Sequence, residues 1–160
     1  MNDPAGRVTG VFLPAGRVLS LVGGLAILAT YYMPWFGLSS TQGSILLSGD
    51  FLNRFLASGT DLSRFLPGAS AGQAAALRAL VLLFPTCGAL AAVLALVGSA
   101  RPGSRPLDVL LGLAGVIPLV GLLGGLSHLP PNASVEVGLW LIGAGAVAVL
   151  AGLALHLALH

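Results

Sequence analysis

Charged residues are missing from four long stretches of this chain, and those gaps are its strongest structural signal. None occurs from Val18 to Gly49, from Ala79 to Ala100, from Val109 to Ser127, or from Val137 to Leu155. About 20 apolar residues in a helix cross the roughly 30 Å of bilayer hydrocarbon. Backbone polar groups in lipid must be satisfied within their own segment, which leaves helix as the conformation of each stretch. The pattern predicts an all-α polytopic membrane protein. It forms a single domain over residues 1–160, with four transmembrane helices at about 15–36, 77–100, 107–128 and 135–157. The gaps at 101–106 and 129–134 are short and proline-bearing, so consecutive helices pack antiparallel. Pro85 and Pro118 fall inside the second and third spans, where each removes a backbone donor.

The remaining polar segment is a long outer loop at 37–76 between the first two helices. Its opening Gly, Ser and Thr residues favour turn or extended chain. In Asp50-Phe51-Leu52-Asn53-Arg54-Phe55-Leu56, the pairs Phe51/Phe55 and Leu52/Leu56 are each four apart, so each pair shares a helical face. Asp50 and Arg54 can pair on another face. Thr60-Asp61-Leu62-Ser63-Arg64-Phe65-Leu66-Pro67 reads as a second short helix, capped by Thr60 and stopped by Pro67. Two short amphipathic helices are therefore expected, lying on the membrane or capping the bundle. They either seal that end or dock a partner. The expected contact residues are Trp35, Phe36, Phe51, Arg54, Phe55, Arg64 and Phe65.

Composition agrees with the spans. Of 160 residues, 56% are hydrophobic and 8% charged, against about 25% charged in soluble domains. Too little polar surface exists to face water, so the bilayer is the first partner. The formal net charge of +2 comes without a basic patch, which excludes nucleic acid as a partner. Cys87 is the single cysteine and reads as a small buried hydrophobe.

Charge also orients the chain. Four spans put both termini on one side. Arg7 and Arg17 precede the first apolar run, and Arg101 and Arg105 sit in a short turn on the same side; Arg54, Arg64 and Arg78 lie opposite. Short loops dominate the positive-inside bias, which places both termini in the cytoplasm of a cell (bacterial inner) membrane. Every Trp and Tyr falls on the other side: Tyr31, Tyr32, Trp35 and Trp140. Such rings prefer the headgroup layer, so the outer face is expected to be the specialised one.

Small residues recur at helical spacing: Gly121 with Gly125, Ser20 with Gly24, Gly88 with Ala92, and Ala148 with Gly152. They let helices approach closely in lipid, either within one chain or between subunits.

Candidate chemistry is sparse. Proton or ion transport keeps ionisable groups inside spans, whereas Asp108, Arg78 and Glu136 fall at span ends. His128 and His156 belong to opposite ends of the bundle and cannot share a haem iron. A lone cysteine cannot run dithiol chemistry, and the five acids are scattered. No Gly-x-Ser-x-Gly elbow occurs. No cofactor or metal is expected, and the chain does not read as an enzyme. An enzymatic site would require Asp50, Asp61 or Glu136 to meet a histidine at the outer surface.

The Trp35-Phe36-Gly37-Leu38 motif after helix 1, the four spans, the cytoplasmic termini and the long first outer loop resemble the claudin arrangement. Claudins carry a cysteine pair in that loop and this chain has none, so their pore and junction roles do not transfer. The chain also resembles small bacterial four-helix membrane proteins with a Pro-Trp-Phe after the first helix, a likeness that implies no activity. The leading expectation is an accessory, non-catalytic membrane subunit assembling with other subunits or with itself, its outer loop the contact face. The alternative is a small homo-oligomeric transporter or channel for a neutral or apolar substrate. That alternative would need a polar seam, for which Ser20, Thr30, Thr86, Ser99 and Ser127 are the available residues.

Overall fold

The structure is a computed structural model that describes residues 14–40, 43–58, 71–101, 103–127 and 133–159. Four helices are long and apolar enough to cross a membrane, and the chain is a multi-pass membrane protein. These are α1 (Ala15–Ala29), α3 (Ala71–Ala100), α4 (Arg105–Leu126) and α5 (Val137–Ala158). They pack in a closed ring: α1 lies against α3 and α5, and α4 completes the circuit against the same two helices. The connecting segments add strands β1 (Pro34–Ser40), β2 (Gly43–Ser48) and β3 (Ala133–Val135), with a short helix α2 (Gly49–Ala57) after β2. The expected second amphipathic helix at 60–66 lies outside the described residues, as do Arg7, Arg64, Phe65 and His128.

Helix 1 is shorter than the run of apolar residues implied, and Pro34 is the reason. An α-helix through that point would need the Pro34 nitrogen to donate to the Thr30 carbonyl, and proline has no N–H. The chain instead tightens into a 3-10 turn over Thr30–Tyr32, and Met33 becomes extended, as a residue before proline prefers. The Thr30 carbonyl then accepts from Met33 N at 2.9 Å and from Trp35 Nε1 at 2.7 Å. Helix α3 departs in the other direction. Its 30 residues extend about 45 Å, more than the hydrocarbon thickness. It meets α2 near its start, where Arg78 bonds to Asn53.

The opening of the outer segment, where turn or extended chain is expected, folds as a sheet, and α2 follows where a short helix is expected. β1 is central, antiparallel to β2 on one side and to β3 on the other, in the order β2-β1-β3. Phe36 faces Leu47 on one neighbour and Val135 on the other. Pro34 pairs with Ser48 and Phe36 with Leu47, so Trp35 is the additional residue of a β-bulge. The bulge turns the indole into the core, where Trp35 is 2% exposed and packs edge-on against Phe84.

The bundle core joins Ile27, Phe84, Ala91, Leu94, Leu111, Ala114, Leu139, Ile142, Ala146 and Val149. Leucines and valines on the outer faces of the four helices, such as Val22, Val93, Val120 and Val147, are exposed to the lipid. Small residues bring the backbones together along α1. A Cβ at Gly23 would stand 2.5 Å from the Gly145 carbonyl oxygen, and one at Gly24 would stand 2.7 Å from Ala92 N. Gly16 abuts Gly152 and His156 in the same way.

Candidate functional site

Two polar constellations stand out, one at each end of the bundle. At the end where α1 begins and α5 finishes, Arg17 sits in the first turn of α1 and is 1% exposed. Its Nη2 donates to Asp108 Oδ1 at the start of α4. Those two helices are diagonal partners in the ring, so the long arginine side chain crosses the interior to close the pair. Gly98 of α3 makes room for the guanidinium: a Cβ there would lie 2.8 Å from Arg17 Cζ. Arg17 Nε and Nη1 are buried and make no hydrogen bond among the described residues. From the sequence, Arg17 is a topology-setting charge ahead of the apolar run and Asp108 an end residue. The structure joins them into a buried ion pair, because neither charge tolerates burial alone.

At the opposite end, α2 is held by its polar face. Ser48 caps it, accepting from Phe51 N at 3.2 Å. Asn53 Nδ2 donates to the Tyr31 hydroxyl, and Arg78 Nε donates to Asn53 Oδ1, each at 3.0 Å. This chain of bonds ties α2 to the end of α1 and the start of α3. Leu52 and Leu56 pack on the core. The expected Asp50–Arg54 pair forms at 3.1 Å on the exposed side. Phe51 and Phe55 stack with ring centroids 6.2 Å apart. On the far side of the sheet, Ser134 Oγ donates to Glu136 Oε1 at 2.7 Å beside Gly37.

The expected contact residues thus separate. Phe51, Phe55 and Arg54 lie together on α2, and Phe51 and Arg54 are exposed. Phe36 is half-buried and packs on the core. Trp35 is a core residue that offers no outward surface, since the bulge and the bond to Thr30 hold it inside. Ile45 and Leu46 of β2, outside the expected contact set, are 62% and 59% exposed. The signal in the sequence is the apolar run Ile45-Leu46-Leu47 between Ser44 and Ser48.

The small-residue pairs separate too. Ser20, Gly24, Gly88, Ala92, Ala148 and Gly152 all take part in contacts of α1 with α3 or α5. Gly121 meets only the Phe84 ring, and Gly125 would have open space at its Cβ.

Trp35 anchors the sheet to the bundle. We expect Trp35→Ala to destabilise the fold by about 3–5 kcal/mol, since it removes a large buried side chain. Trp35→Phe keeps the contact with Phe84 and loses the indole donor, a cost of about 1–3 kcal/mol. Thermal unfolding in detergent separates the two variants.

As for catalysis or metal binding, Asp50 is engaged by Arg54 and Glu136 by Ser134. No set of three His, Cys, Asp or Glu residues gathers among the described residues. Comparisons with protein-family models, with curated proteins and with solved structures find no match for this chain.

Proposed function

We propose that the chain is a non-catalytic subunit of a larger assembly in a bacterial inner membrane, and that it docks through the face built by β2 and α2. The observation that carries this reading is the exposure of Ile45, Leu46 and Phe51, the last at 47%, outside the four spans. Large apolar side chains exposed outside the lipid-facing helices point to an interaction surface. The fold beneath them is suited to presenting that face. The sheet is anchored by Trp35, α2 is bonded to two spans, and α1 is seated backbone-to-backbone against its neighbours. Rigid presentation lowers the ordering cost of association. In this reading both termini are cytoplasmic and the sheet lies outside, in line with the arginines of the short turn after α3.

The hydroxyls available for a transport seam do not support the alternative. Ser20 donates to the Val149 carbonyl, Thr30 to Ile27, Thr86 to Leu82, Ser99 to Ala95 and Ser127 to Gly124. Each hydroxyl is engaged by a helix backbone carbonyl.

The double variant Ile45→Asp/Phe51→Asp tests the proposal. Both side chains are exposed, so thermal stability in detergent should stay near that of the wild type. The native particle should fall from its assembled mass to that of a single chain. An assembled mass that is unchanged by both substitutions would remove this face from the account.

A further inference from the structure

Resting on the reading of this face as an interface, we infer that its occupant is a second copy of the chain, paired edge to edge through β2. The strand order β2-β1-β3 leaves β2 as an edge, so the side turned away from β1 pairs with no other strand among the described residues. Edge strands are commonly blunted by charge, proline or shortness. The opposite edge follows that rule: β3 has three residues, and Pro130-Pro131 comes just before it in the sequence. β2 has six residues and neither charge nor proline.

Its sequence is also self-complementary. Ser44-Ile45-Leu46-Leu47-Ser48 reads nearly the same in both directions about Leu46. In an antiparallel pair of two copies with the two-fold axis at Leu46, Ser44 lies opposite Ser48. Ile45 lies opposite Leu47, and Leu46 meets itself. An isologous contact demands this property, that each residue meets its mirror position on the partner. Every cross-strand pair would be apolar with apolar or hydroxyl with hydroxyl, the combinations that stabilise a sheet. No like charges would meet. Exposed Ile45 and Leu46 would then each gain an apolar cross-strand neighbour, one on each face of the joined sheet.

The register makes the test sharp. In a Cys87→Ala background, single cysteines are placed at positions 45, 46 and 47 of the full chain, and membranes are oxidised before extraction. Directly opposed residues have Cα atoms about 4.5–5.5 Å apart, within disulfide reach, whereas diagonal neighbours stand about 7–8 Å apart, beyond it. Leu46→Cys should give covalent dimer about tenfold more efficiently than Ile45→Cys or Leu47→Cys alone. Co-expressed, differently tagged Ile45→Cys and Leu47→Cys chains should cross-link to each other. Equal or absent cross-linking at the three positions would overturn the pairing. The native mass of the same preparations separates the two levels of the argument. A particle larger than one chain without the Leu46→Cys dimer keeps the contact face and discards self-pairing. A single-chain particle discards both.

Discussion

Asp108→Ala is expected to cost the bundle about 3–5 kcal/mol, the range for breaking a buried ion pair by removing one partner. The cost does not come from the lost attraction alone. Arg17 would remain buried with its guanidinium against Gly98 and without a compensating charge among the described residues. It also sits in the first turn of α1, where the helix dipole disfavours a cation. Asp108, in the first turn of α4, is favoured by its dipole, so the carboxylate suits its own place while it neutralises the arginine. Arg17→Met combined with Asp108→Leu should recover most of the loss, because apolar replacement of both partners is often neutral or better. Yield and thermal unfolding in detergent for the single and double variants check this. A double variant as unstable as Asp108→Ala would show that the site needs the pair itself.

The second large effect is expected at Gly23. Its missing Cβ lets α1 and α5 touch through their backbones, with the Gly145 carbonyl and Val149 N within 2.9 Å of the position a Cβ would take. Gly23→Leu must push two helices apart, and overpacking of this kind typically costs about 1–3 kcal/mol, occasionally more. Two rigid backbones meet here, so the upper end is expected. The fair control is Gly124→Leu, where a Cβ meets nothing within 4 Å, and its unfolding temperature should match that of the wild type. Similar losses at both positions would mean that glycine content in general, rather than close approach along α1, sets the stability.

These two sites show what was legible in the chain and what was not. The spans could be read directly, because bilayer thickness and backbone hydrogen bonding dictate long uncharged helices. The amphipathic turn at Phe51 to Leu56 was equally open to inspection, since its facing pairs are four residues apart. Long-range partners were hidden. Arg17 and Asp108 are separated by 91 residues, and each alone looks like an interfacial charge. The sheet was hidden for the same reason. β1 has no clean alternation, and its partner β3 arrives 97 residues later, with Ser134 paired to Gly37. The short end of helix 1 was legible and passed over: counting apolar residues carried the helix to Phe36, while Pro34 had already removed the donor that Thr30 needed. Trp35 then followed the wrong environment, read as a headgroup aromatic where the bulge makes it core.

The most direct test of the contact-subunit reading is the mass and composition of the native particle extracted in mild detergent. The account predicts a particle of more than one chain, with the β2 and α2 face protected from a water-soluble label that reaches it in the Ile45→Asp/Phe51→Asp variant. A wild-type particle of one chain, with that face fully labelled, would contradict it.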